Sequence, residues 1–354
     1  MVYSNTKCVS AISTKGQASH LNALGALGFG AASLGNLYRP ISDQAAIDTV
    51  AAALATGVRY FDTAPHYGFG LSEQRLGAAL KAAGIAPEAV TVSTKVGRLL
   101  VPTNSRERER HGFVDAPALE PVFDYSYDGV MRSFEESLQR LQLTRVDILL
   151  AHDLGSQTHG AQHPEQFHRF MAGGYKAMCE LKAAGLVGAI GLGANEWQVC
   201  EEAMAQGDFD VFLLAGRYTL LEQAANLSFL PRCAELGVAV IAAGPFNSGI
   251  LAPGASTRGQ RFYNYAPAPA AILSQVARLE AVCTQFAVPL AAAALQFPAA
   301  HPQVATVLAG FASAQEVQQA EALMEMVIPA EFWIELYRLG LIDSAAPCPV
   351  RSDS

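Results

Sequence analysis

Residues 59–83 read Arg59-Tyr-Phe-Asp-Thr-Ala-Pro-His-Tyr-Gly-Phe-Gly-Leu-Ser-Glu-Gln-Arg-Leu-Gly-Ala-Ala-Leu-Lys-Ala-Ala83. A short apolar run, Arg59–Asp62, ends on a carboxylate. A turn follows, and then a helical pattern over Ser72–Ala83 that stops at Gly84. A short buried strand, a polar turn and an amphipathic helix make one βα unit. The same unit recurs on both sides. Strands are expected at Gly25–Ala32, Arg59–Asp62, Val90–Lys95, Val146–His152, Val187–Gly191, Val211–Leu214, Ala239–Ala243 and Ala305–Leu308. Helices are expected at Gln44–Thr56, Ser72–Ala83, Tyr127–Gln142, Phe167–Ala184, Glu196–Ala205 and Pro231–Leu236. Ser42 fits an N-cap, and Gly57, Gly84, Gly185 and Gly237 sit where helices should stop. Eight such strands close a (β/α)8 TIM barrel, with a doubly wound open sheet as the alternative. No linker or composition shift divides the chain. Residues 21–354 therefore form a single expected domain behind a polar tail, residues 1–20.

Composition narrows the function. The 354 residues are 51% hydrophobic and 16% charged, with mean hydropathy +0.20, which is too apolar for disorder. A net charge of −8 gives no basic stripe for nucleic acid, and the run Arg106–Arg110 alternates in sign. The most apolar stretch, 21–35, is too short for a membrane span and carries Asn22 and four glycines. No apolar signal core follows Lys7 and Lys15. Six scattered cysteines (Cys8, Cys179, Cys200, Cys233, Cys283, Cys348) show neither C-x-x-C nor zinc spacing, so no disulfide or metal site is expected and a reducing cytoplasm is the natural setting.

Two connections are long, Val96 to about Tyr125 after the third strand and Pro245 to about Pro269 after the seventh. Both follow strand C-termini, where barrel enzymes keep their chemistry, and long loops there act as lids or specificity walls. Polar residues at strand ends pick out the same rim. Asp62 ends the second strand, Lys95 the third and His152 the fourth, while Tyr67 lies five residues beyond Asp62. A lone strand-end histidine or an Asp–Lys pair has an ordinary structural explanation. Together the four form a proton-transfer device. Tyrosine titrates near 10, a neighbouring ammonium lowers that value, Asp62 keeps Lys95 charged, and His152 binds and aligns the substrate oxygen. This suits alcohol–carbonyl interconversion, for which a nicotinamide must carry the hydride.

Gly28-Phe-Gly30, Phe61-Asp-Thr-Ala-Pro-His-Tyr-Gly68 with Ser72-Glu73, Ser93-Thr-Lys95, Leu149-Leu-Ala-His152 and Gly191-Leu-Gly-Ala-Asn195 resemble, in order, the motifs of the aldo-keto reductases. The resemblance implies a catalytic tetrad of Asp62, Tyr67, Lys95 and His152, with Asn195 holding the nicotinamide carboxamide. The stretches 35–39, 123–134, 214–221 and 341–347 are similar to the D-threo-aldose 1-dehydrogenase branch, which includes L-fucose and L-galactose dehydrogenases. Pyridoxal 4-dehydrogenase is similar too. Both substrate types exist as cyclic hemiacetals, and oxidation at the hemiacetal carbon gives a lactone. A nicotinamide-binding regulatory barrel without turnover is the alternative of another class, disfavoured by the intact tetrad.

Family members that hold the 2′-phosphate of NADP carry Lys or Arg after the eighth strand. This chain has no basic residue from Gly310 to Ala320 and has Glu316 instead. A carboxylate accepts a ribose 2′-hydroxyl and repels a phosphate, so NAD is expected. The alternative is that Glu316 only favours a helix start. Gly30, Gly244, Phe246, Gly310, Ser313 and Gln319 complete the expected cofactor set, with Phe246 covering the ring because Ala243 stands where the family has a stacking Tyr. Ala215 likewise replaces the usual Gln. For a sugar or pyridoxal-like substrate the expected contacts are Tyr38, Arg39, His66, Phe69, Trp197 and Arg217, which combine donors with an aromatic wall.

Overall fold

The computed structural model describes residues 21, 24–252, 261–264 and 266–349. The expected tail, 1–20, lies outside these. Eight parallel strands close into a barrel: β1 (Leu27–Gly30), β2 (Tyr60–Asp62), β3 (Thr91–Val96), β4 (Val146–His152), β5 (Val187–Ala194), β6 (Val211–Ala215), β7 (Ala239–Ala243) and β8 (Val304–Gly310). Each pairs with its sequence neighbours and β8 pairs with β1, so the open-sheet alternative is excluded.

The helices between strands start and stop for local reasons. The Ser42 side chain accepts from the Ala45 amide and opens the helix Asp43–Ala55, and Gly57 beyond it takes a left-handed φ of 89°. Ser126 caps Tyr127–Leu141 in the same way. Cys179, Cys200, Cys233 and Cys283 are buried on helices as small hydrophobes. Four further helices, Ala270–Phe286, Leu290–Ala299, Ala314–Glu325 and Ala330–Arg338, cover the outside near the C-terminal end. Among the described residues no single helix is long and apolar enough to cross a membrane.

Several strands differ from the expected bounds by up to three residues at an end, and the first and fifth do so for visible local reasons. The first is shorter than Gly25–Ala32, because Ala31–Gly35 winds into a 3-10 turn that ends at left-handed Asn36. The fifth runs past Gly191 to Ala194. Its glycines read as a turn but serve close packing: a side chain at Gly191 would collide with the Val211 carbonyl, and one at Gly193 would press on the Lys95 stem at 3.2 Å.

Both long connections carry short antiparallel pairs. After β3, Arg98–Pro102 pairs antiparallel with Leu119–Phe123, and inside them Glu109–Arg110 pairs with Phe113–Val114. After β7, Phe262–Tyr263 pairs with Ala266–Pro267, and residues 253–260 and 265 fall outside the described set.

Candidate active site

Alternation along a strand sends every second side chain into the barrel. On β2 this puts Tyr60 and Asp62 inside and Phe61 against the helices; on β4 it puts Ile148, Leu150 and His152 inside. On β3, Ser93 and Lys95 point inward while Thr94 points out to the wholly buried Glu73, which Arg140 neutralises at 2.5 Å. The register then climbs around the rim. Asp62 is level with Ser93, Lys95 with Leu150, and His152 with Gly193. The four residues singled out by the sequence therefore converge on one end of the barrel.

The Lys95 ammonium donates to Asp62 Oδ2 at 2.6 Å, to the Thr63 carbonyl at 2.9 Å and to the Tyr67 hydroxyl oxygen at 3.1 Å. Below it, Ser93 donates to Asp62 Oδ1 at 2.7 Å and meets the Tyr60 hydroxyl at 2.9 Å. Both Asp62 oxygens are thus engaged. Tyr67 is set by its loop: its carbonyl accepts the Ser72 amide, and the Gly35 and Gly68 backbones touch so closely that a side chain on either would collide with the other's backbone. Ser72 ties the same loop to the Ala31 carbonyl at 2.6 Å and meets Thr63 at 2.9 Å.

His152 packs its ring edge-on to Tyr67, with centroids 5.9 Å apart, and Tyr125 donates to the His152 carbonyl at 2.6 Å. His152 Nε2 lies 3.5 Å from Asp153 Oδ2, and its Nδ1 is buried without a protein partner. Phe113, from the hairpin after β3, stands against both Tyr67 and His66.

Burial, reinforced by the Arg98 and Lys95 charges, drives the His152 pKa well below its ordinary value, so the ring is a neutral hydrogen-bonding group. The same causes bring His66 down to about 3. Burial also works against the Lys95 ammonium, yet Asp62 and Tyr67 hold its pKa above the usual value. Tyr67 corrects the sequence expectation. Burial raises its pKa and Lys95 lowers it, and burial wins, so the net shift is upward. The ammonium limits the cost of forming a phenolate without making one at neutral pH.

The other half of the rim carries the residues expected for a cofactor. Asn195 donates from Nδ2 to Asp153 Oδ1 at 3.0 Å, which leaves its own Oδ1 to accept a carboxamide N–H. Gly30 and Gly310 face each other across β1 and β8. A side chain at Gly310 would meet only ordinary contacts, so internal packing does not demand glycine there, and the bare backbone suits a bound group. Gly244 turns at φ 63°, and Phe246 behind it packs partly on the main core. Ser313 caps Ala314–Glu325 by accepting the Glu316 amide, and Gln319 on that helix is exposed. Glu316 accepts the Ala312 amide at 2.7 Å and pairs with Arg39 at 3.1 Å. It therefore does serve the helix start, and it already occupies the Ala312 amide.

Arg39 thereby pairs with Glu316. Tyr38 is largely exposed and tied to the hairpin through its amide and the Gly112 carbonyl. Phe69 is buried under the Arg110 guanidinium, at 4.5 Å. Trp197 packs partly on the main core. Arg217 clamps the Asn195 carbonyl at 2.7 Å and Asn264 at 2.8 Å, with Glu222 at 3.7 Å. Sequence reasoning missed Ser93 in its supporting role, the Phe113 wall and the Arg98–Asp153 pair. Arg98 and Asp153 stand just past Lys95 and His152, and charge beyond two adjacent strand ends was the available signal.

Residues 26–339 match the Aldo/keto reductase family. The chain belongs to that family. It is 43% identical over 347 residues to a pyridoxal 4-dehydrogenase from Microbacterium luteolum, spanning 92% of this chain and 99% of that one. It is 39% identical over 326 residues to a D-threo-aldose 1-dehydrogenase from a Pseudomonas species, spanning 90% and 95%. An aldo-keto reductase structure from Bacillus halodurans superposes with a TM-score of 0.65 over 92% of this chain and 94% of that one; at 24% identity this speaks to the fold. This aldo-keto reductase is thus an oxidoreductase, of a family that works with nicotinamide cofactors and small-molecule substrates.

Proposed function

We propose that this aldo-keto reductase oxidises the hemiacetal carbon of a cyclic aldose, such as L-fucose, L-galactose or D-arabinose, to the aldonolactone, with NAD as its preferred cofactor. The observation that carries the reading is the three-way contact of the Lys95 ammonium with Asp62, Thr63 and the Tyr67 hydroxyl, with neutral His152 edge-on to the same tyrosine. Tyr67 takes the proton of the hemiacetal hydroxyl; Lys95 stabilises the phenolate that must form first; Asp62 and Ser93 hold Lys95 in place. His152 donates a hydrogen bond to the reacting oxygen and aligns it with Tyr67. The bound nicotinamide supplies the hydride acceptor. Asn195 offers an acceptor for its carboxamide, and the bare rim at Gly30, Gly244 and Gly310 leaves room for the rest.

NAD is favoured over NADP by charge. A half-exposed carboxylate at the start of the helix Ala314–Glu325 repels a 2′-phosphate and already pairs with Arg39.

Pyridoxal is the second reading, because a pyridoxal 4-dehydrogenase shares 43% identity with this chain and the Phe113–His66 wall accepts a flat ring. The deciding measurement is formation of reduced cofactor by purified protein with NAD and, in parallel, NADP, across L-fucose, L-galactose, D-arabinose, D-glucose and pyridoxal. Fast turnover of the threo sugars with NAD ahead of NADP is the expected result. Turnover of pyridoxal alone would keep the mechanism and replace the substrate.

A further inference from the structure

Arg98, Asp153 and Asn195 form a charged cluster beside His152 that proton transfer does not use. Asp153 follows the last residue of β4 and holds a left-handed φ of 50°, fixed by its amide donating to the Gly193 carbonyl at 2.8 Å. Aspartate adopts this backbone conformation more readily than most residues, and the Gly193 contact holds it there. Its Oδ2 takes Arg98 at 2.5 Å and stands 3.5 Å from His152 Nε2, while Oδ1 takes Asn195. Arg98 lies over the Phe123 ring, 4.6 Å from its centroid, and its Nε is buried without a protein partner. The pair is not sealed, for the side chains keep 13% and 12% of their surface. A clip between the hairpin and β4 explains the ion pair but not its position against the His152 nitrogen that holds the reacting oxygen, nor the spare guanidinium donor.

We propose that Asp153, held by Arg98, determines substrate specificity by accepting the hydroxyl on the carbon next to the one oxidised. This rests on the hemiacetal-oxidation reading. The reacting oxygen must lie within hydrogen-bond reach of both Tyr67 and His152 Nε2. With the Asp153 carboxylate 3.5 Å from that same nitrogen, the substituent one carbon further along falls against it. In a cyclic aldose this substituent is the C2 hydroxyl, whose hydrogen suits the carboxylate and whose lone pairs suit Arg98. In pyridoxal the neighbouring carbon belongs to the aromatic ring and bears no hydroxyl, so the carboxylate would lose its remaining water and gain no donor beyond Arg98 and Asn195. A site built around such a hydrogen bond discriminates strongly against substrates that lack it.

D-arabinose and 2-deoxy-D-ribose differ only in the C2 hydroxyl, so the ratio of their kcat/KM values reads this contact, and loss of folded protein cancels within each variant. Wild type is expected to favour D-arabinose by roughly 10- to 100-fold, the range for a hydrogen bond to a charged group. Asp153→Ala should bring the ratio close to one, and Asp153→Asn, which keeps an acceptor oxygen, should restore part of it. A wild-type ratio near one, or a preference that survives in Asp153→Ala, would overturn the anchor and leave aldose oxidation standing. Turnover of pyridoxal with neither sugar oxidised would overturn both.

Discussion

Two carboxylate–cation pairs, one on β2 and β3 and the other on the segments that follow β1 and β8, are chemically alike and physically different. Asp62 and Lys95 meet at 2.6 Å with 3% and 2% of their side chains exposed. Glu316 and Arg39 meet at 3.1 Å with 43% and 61% exposed. Water screens the second pair, which is worth at most about 1 kcal/mol. The first has given up its water, so each charge depends on the other and on every neighbouring hydrogen bond. Burial thus turns an ordinary ion pair into a device that can stabilise a phenolate on Tyr67, while exposure leaves Glu316 and Arg39 free to separate and to sense the charge of a ligand.

The sharpest way to break this comparison is at the tyrosine. Tyr67→Phe should cost roughly 10²- to 10⁴-fold in turnover with nucleotide binding largely kept, as measured by steady-state kinetics and by nucleotide titration. Near-normal activity would remove the acid–base role. In wild type, oxidation requires the phenolate, and the Tyr67 pKa is raised. The oxidation rate should therefore climb with pH through neutrality into the alkaline range, while Lys95, whose pKa is also raised, stays charged. A pH-independent rate would contradict that order.

Removing the cation tests burial itself. Lys95→Met strands Asp62 as an unpaired buried charge and should destabilise the fold by about 3–5 kcal/mol in urea unfolding, besides stopping turnover. Arg39→Ala, the same operation on the exposed pair, should cost under about 1 kcal/mol. Equal costs would show that burial is not the difference. Between these lies Ser93→Ala, which takes a donor from Asp62 and a partner from the Tyr60 hydroxyl. A loss of about 1–3 kcal/mol is expected, together with lower activity from a less firmly held Lys95. The smallest effect is expected at Glu316→Arg, which should raise the NADP-to-NAD activity ratio with little change in stability; an unmoved ratio would sink the charge argument for NAD.

The barrel and its tetrad were legible in the chain because both depend on local signals. Short apolar runs alternating with capped helices imply βα units, and a polar residue at the end of such a run lies at the barrel's C-terminal rim whatever the side chains around it. That logic found Asp62, Lys95 and His152, while Asn195 came only from the resemblance to the aldo-keto reductase motifs. It ended β5 too early, because Gly191 and Gly193 look like a turn until the Val211 carbonyl and the Lys95 stem are seen against them. It could not pair Arg39 with Glu316, because nothing local links residue 39 to residue 316. It missed Phe113, which reaches Tyr67 only through pairing within a long connection.

Electrostatics divided in the same way. The sequence by itself determined which charges exist, that Lys95 and Tyr67 belong to one rim, and that a carboxylate and no cation follows the eighth strand. Only the tertiary structure decided the net pKa shift on Tyr67, the pairing of Glu316 with Arg39, and the placing of Asp153 between His152 and Asn195. A pKa is a sum over burial and over neighbours drawn from distant parts of the chain, and strand order alone fixes neither.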